Sequence, residues 1–103
     1  MEKFNYYHHH PVTDEFESAG NVYLKVKESD SHYLFKVTTD TGLTFYELFE
    51  KKKYSSKSKA FVSKTLKDGD YMYPTDKDFG LWAWCYSKFD YAIEKWNLKT
   101  SNL

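Results

Sequence analysis

A chain of 103 residues with 15 basic and 15 acidic side chains has room for one modest core and carries no net field to draw in DNA or an anionic membrane. Aromatic residues make up 20% of it and hydrophobic residues of all kinds 41%, so Phe, Tyr and Trp must do most of the packing, a composition unlike that of disordered chains. Every basic side chain is Lys, and the absence of Arg tells against sequence-specific DNA reading, where a bidentate guanidinium is the usual device.

The first 20 residues, MEKFNYYHHHPVTDEFESAG, keep neither a helical nor a strand period for long, contain Pro11 and end at Gly20. They are expected to form a flexible or loosely docked N-terminal arm, pinned at most by Phe4, Tyr6, Tyr7 and Phe16, ahead of a single α+β domain over 21–103. In NVYLKVKES, Val22, Leu24 and Val26 alternate with Tyr23, Lys25 and Lys27, the period of a half-buried strand. HYLFKVTTD then sets Tyr33, Phe35 and Val37 against Leu34 and Lys36, and the two runs should pair as an antiparallel hairpin. LTFYELFE directs Leu43, Phe45 and Phe49 one way and Tyr46 and Leu48 the other; apolar on both faces, it belongs inside a sheet rather than at an edge.

Residues 51–59, KKKYSSKSK, form a polar, basic connection, and 60–66 a short strand or the end of a long excursion. The Asp68–Gly69 pair suits a tight turn. FGLWAWCYS, 79–87, reads as a further strand, with Leu81, Ala83 and Cys85 on one face and Trp82, Trp84 and Tyr86 on the other. Phe89, Ala92, Ile93 and Trp96 then recur at helical spacing, with Ser87 and Asp90 placed for an N-terminal cap and Lys95 and Lys99 toward the C-terminal end. The expected fold is a single antiparallel β-meander of four to five strands with one C-terminal amphipathic helix on one face. Small Ala83 and Cys85 offer that helix a close seat. The aromatic ladder would then lie on the opposite face, shielded by the arm, by a partner or by nothing.

The chemistry-bearing residues form no catalytic pattern. Cys85 stands between large aromatics and is expected to be a buried, inert thiol. His8, His9 and His10 cannot all turn inward from one regular element, and no spaced Cys or carboxylate ligands accompany them. Asp68, Asp70, Asp76 and Asp78 do not match a calcium loop and suit turns, where carboxylates bond the local backbone. No cofactor, metal site or catalytic residue is expected, and no enzyme activity.

Two binding functions remain. The first is a small non-catalytic interaction module for another macromolecule, most naturally a protein, of the kind a phage or other mobile element uses as inhibitor or adaptor; an Arg-free, Lys-rich chain fits an AT-rich genome. The second is non-sequence-specific binding of single-stranded nucleic acid, with Lys51, Lys52, Lys53, Lys57 and Lys59 on phosphates, Tyr54 among them, and Trp82, Trp84 and Tyr86 stacking on bases. An uncovered aromatic face would also suit a homodimer. One cysteine, no long apolar run and no signal-like segment make the cytoplasm the expected compartment and leave no membrane role.

Overall fold

The computed structural model describes residues 1–5, 8–57 and 65–101 and holds one six-stranded sheet and one helix. The strands are β1 (Glu2–Phe4), β2 (Glu15–Ser18), β3 (Asn21–Glu28), β4 (His32–Thr38), β5 (Thr44–Glu50) and β6 (Ala83–Tyr86), lying side by side in chain order, and α1 (Phe89–Thr100) closes the fold. All neighbours are antiparallel except β1 and β2, which are parallel. The sheet is therefore mixed and larger than the meander of four to five strands that the pattern suggests.

The parallel pair explains the first 20 residues. A chain that leaves one strand and returns in the same direction must cross a face of the sheet. Here the crossing segment carries His10, Pro11 and Val12, and it is tied to the sequence-distant segment at 71–73: Val12 N–H donates to the Tyr71 carbonyl and Tyr73 N–H to that of His10. Residues 52–54 join on the other side through Met72 N–H to the Lys52 carbonyl and Tyr54 N–H to that of Asp70. These irregular, β-bridged segments form a second layer over one face. In place of a loose arm, the described residues before Asn21 supply two strands and part of that cover, and Phe16 is fully buried, while Tyr6 and Tyr7 lie outside the described residues.

Beneath this layer lies an aromatic core of Phe16, Tyr23, Tyr33, Phe35, Phe49 and Tyr73, with Val37, Trp82 and Ala83. The ring of Tyr73 sits within 5.5 Å, centroid to centroid, of Phe16, Tyr23, Phe35 and Phe49, mostly edge to face. The opposite face is thinner: Leu34 and Leu48 pack against Ala92 and Trp96 of α1, with Tyr46, Trp84, Tyr86 and Ile93 at the margin.

Two faces are assigned otherwise than the alternation suggests. On β3 it is Tyr23 that is buried, while Val22, Leu24 and Val26 are exposed, because α1 lies over β5 and β6 and leaves β3 uncovered. On β6 the helix packs on the Trp84 and Tyr86 side, not on Ala83 and Cys85. Ala83 instead closes the aromatic core, and Cys85 is exposed at the sheet edge. The strand is also shorter than 79–87. Gly80, at φ +93°, turns the chain, its N–H donating to the Ala83 carbonyl, and Trp82 N–H bonds the Asp78 carbonyl. The helix begins one residue later than the Ser87 cap implies, with Lys88 at the cap position and no side-chain cap bond. The 60–66 strand falls largely outside the described residues.

The β2–β3 hairpin turns through Ala19 and Gly20, both with positive φ (53° and 80°). Such a two-residue turn favours Asn or Gly at its first position, and alanine there costs about 1 kcal/mol or more. Ala19→Asn is expected to raise the unfolding free energy by about 0.5–1 kcal/mol, read from the denaturant midpoint at unchanged slope.

Candidate functional site

The residues singled out in the sequence do not converge on one surface. Trp82 is 5% exposed and belongs to the aromatic core, against Phe49, because the turn at Gly80 and Leu81 breaks the alternation before β6 begins. Tyr54 is likewise buried, in a small cluster with Leu66 and Met72. Neither is available to stack on a partner. Trp84 and Tyr86 remain together, half-buried on the helix side, and Lys99 Nζ lies 3.5 Å from the centroid of the Trp84 ring.

The lysines lie elsewhere. Lys51 Nζ bonds the Glu28 carboxylate at 2.7 Å and rests over Tyr33 and Tyr71; Lys53 rests over Tyr71, and Lys52 lies over Trp82. Lys57 is exposed, and Lys59 lies outside the described residues. The basic run and the surviving aromatic pair are thus served by different sides of the sheet, so a shared track for phosphates and bases is not assembled.

What Trp84 and Tyr86 do join is a different aromatic set. Tyr46 stands opposite Tyr86 across the β5–β6 ladder, its ring 5.4 Å from that of Phe89, and Tyr91 meets Tyr86 edge to face at 5.3 Å. Phe89 and Tyr91, in the first turn of α1, are 44% and 47% exposed. This five-ring patch occupies the junction of β5, β6 and the start of the helix.

The histidines and aspartates also separate. His8 is exposed; His9 Nε2 is 2.8 Å from Asp78 Oδ2; His10 is buried in a stack between Phe4 and Tyr73. The Asp78 carboxylate further accepts from the Thr75 backbone N–H and Asp70 from Lys67 N–H, the local bonds expected of turn carboxylates, whereas Asp68 accepts from Ser56, twelve residues away.

The most polarised spot in the core carries a residue not singled out above. Glu47 lies on the core face of β5, between Phe45 and Phe49, and is only 9% exposed. Tyr73 donates its hydroxyl to Glu47 Oε1 at 2.7 Å. Burial pushes the Glu47 pKa up to about 7, against the Tyr73 bond, which lowers it, and with the nearby Asp76 charge, which raises it. The signal was present in LTFYELFE, where Glu47 shares the parity of Phe45 and Phe49. Beside it is a cavity of about 30 Å³, room for about one or two waters, also lined by Ser18, Tyr23, His10 and Asp76. Cys85, opposite Glu47 in the ladder, is exposed rather than buried, yet partial burial and the Glu47 charge push its thiol up to about 11, so it stays protonated at neutral pH.

Comparison with family models, curated proteins and solved structures finds no match for this chain. No helix among the described residues is long and apolar enough to cross a membrane.

Glu47 and His10 oppose one another in pH linkage. Glu47 binds its proton more tightly folded than at its ordinary 4.5, so its contribution is complete below pH 4.5 and is lost as pH rises toward 7. Burial lowers the His10 pKa from 6.5 to about 4, outweighing its bond to the Pro11 carbonyl, so its contribution is present above pH 6.5 and lost as pH falls through 4. Each is worth at most about 3 kcal/mol, with opposite slope across the shared window. Relative to wild type, Glu47→Gln is expected to make stability rise more steeply from pH 4.5 to 6.5, and His10→Phe to make it fall, in denaturant unfolding followed against pH.

Proposed function

We propose that this protein is a small, non-catalytic interaction module of the cytoplasm that binds a partner protein through the patch of Tyr46, Trp84, Tyr86, Phe89 and Tyr91. The observation that supports this reading is the exposure of Phe89 and Tyr91 beside three half-buried aromatics, with rings already braced against one another. Tyr and Trp are enriched among residues that dominate binding energy, and pre-packed rings lose little conformational freedom on docking. Lys95, over Tyr91, and Lys99, over Trp84, give the patch a polar rim. The protonated Cys85 thiol is consistent with a binding role rather than covalent catalysis. Single-stranded nucleic acid is the lesser reading, because the lysine run and the patch are not brought together.

Affinity capture at native expression, followed by mass measurement of the complex, tests this. A stoichiometric complex with one protein is expected for the wild type. The Phe89→Ser, Tyr91→Ser double variant should lose it, each ring contributing about 2 kcal/mol, while its thermal midpoint stays close to that of wild type. Capture of background alone, or a complex that survives the double variant, would sink the proposal. A concentration-dependent mass of the purified protein that the same variant abolishes would assign the patch to a homodimer instead.

A further inference from the structure

The cavity beside Glu47 is rich in hydrogen-bond acceptors. The Tyr73 hydroxyl already donates to Glu47, and His10 Nδ1–H donates to the Pro11 carbonyl, which leaves Nε2 of the neutral ring an acceptor. Ser18 lines the same cavity at 4% exposure, and its Oγ has no partner among the described residues. Two carboxylates, Glu47 and Asp76, take part in the lining beside Tyr23, Thr75 and His8, and among the described residues no lysine does. A buried polar atom without a partner and a buried carboxylate near a second negative charge are both unfavourable. An occupant that donates hydrogen bonds and carries positive charge relieves both at once.

The room does not end at the cavity. Glu47, Asp76 and Phe79 also line an open groove of about 500 Å³ along β6, whose other walls include Phe45, Trp84 and Cys85. A polar recess thus adjoins a trough with aromatic walls.

We propose that Glu47, Asp76 and Ser18 bind a protonated primary amine whose apolar stem lies in the groove beside Phe45, Phe79 and Trp84. An ammonium head is close to water in size and presents three donors to the three acceptors. The groove accepts the methylenes that a bare ammonium ion lacks. A free alkylamine and a lysine side chain of a partner protein share this chemistry. Trp84 and Tyr86 border both this groove and the aromatic patch, but the acceptors Glu47, Asp76 and Ser18 are not part of that patch, so the variants chosen for each site test them separately.

An amide-resolved NMR titration at pH 8 tests it, with n-butylammonium, an Nα-acetyl-lysine methylamide and uncharged n-butanol as probes. Saturable shifts are expected at Ser18, Glu47 and Tyr73 with n-butylammonium and not with n-butanol. At saturation the Glu47 carboxyl should titrate about one unit lower than in the free protein. Ser18→Ala and Asp76→Asn, the second at an exposed position that leaves the core intact, should each weaken binding about tenfold. Equal binding of the blocked lysine assigns the site to a partner's side chain, and binding of n-butylammonium alone to a free amine. No saturable shift, an equal response to n-butanol, or unchanged affinity in both variants overturns the proposal.

Discussion

The bond from Tyr73 to Glu47 is the point on which the two halves of the core depend. An aliphatic-poor chain must fill its interior with rings, and a buried tyrosine takes its hydroxyl inside with it. That hydroxyl needs an acceptor, and the acceptor stands on the core face of β5. The Tyr73 ring meanwhile touches residues from β2, β3, β4 and β5, so one side chain of the covering layer registers against four strands. The carboxylate that satisfies the hydroxyl is in turn desolvated, which moves its pKa to the neutral range and creates the acceptor-rich cavity. Packing, hydrogen bonding and titration are therefore one linked choice.

The core strands and the helix were legible from period alone. β3, β4, β5 and α1 lie close to where the alternation and the helical stripe place them. What failed was the decision between faces. On β3, two aliphatic residues lie on the solvent side beside Val26, while a single tyrosine points inward; a period of two shows that faces differ, and not which one is covered. On β6, the exchange of faces follows from Gly80 and Leu81, which turn the chain before the strand starts and send Trp82 into the aromatic core. The first 20 residues were illegible because their strands are short and their partners distant: β1 has three residues, and His10 to Val12 pair with 71–73.

The candidate site was legible in part for the same reasons. Trp84 and Tyr86 were found from residue type, but Tyr46, Phe89 and Tyr91 come to them through cross-strand pairing and the placement of the helix. Glu47 was readable as an acid at a core position, whereas the hydroxyl that explains it lies 26 residues away on a loop. The lysine run, prominent in sequence, spends much of its charge close to home: the Lys51 ammonium is held by Glu28, and those of Lys52 and Lys53 lie over nearby rings.

The crossing of His10 to Val12 over the sheet also orders events in time. Its backbone partners belong to a segment near residue 72, which is bonded on its other side to residues 52–54. Local hairpins and the helix can form with little loop-closure entropy, but the segment nearest the N-terminus finds its place only after most of the chain has been laid down. Until then one face of aromatic rings stands open. A ribosome-bound nascent chain of this protein would therefore carry its aromatic face unshielded until Tyr71–Tyr73 emerge, long after the crossing segment itself has been made.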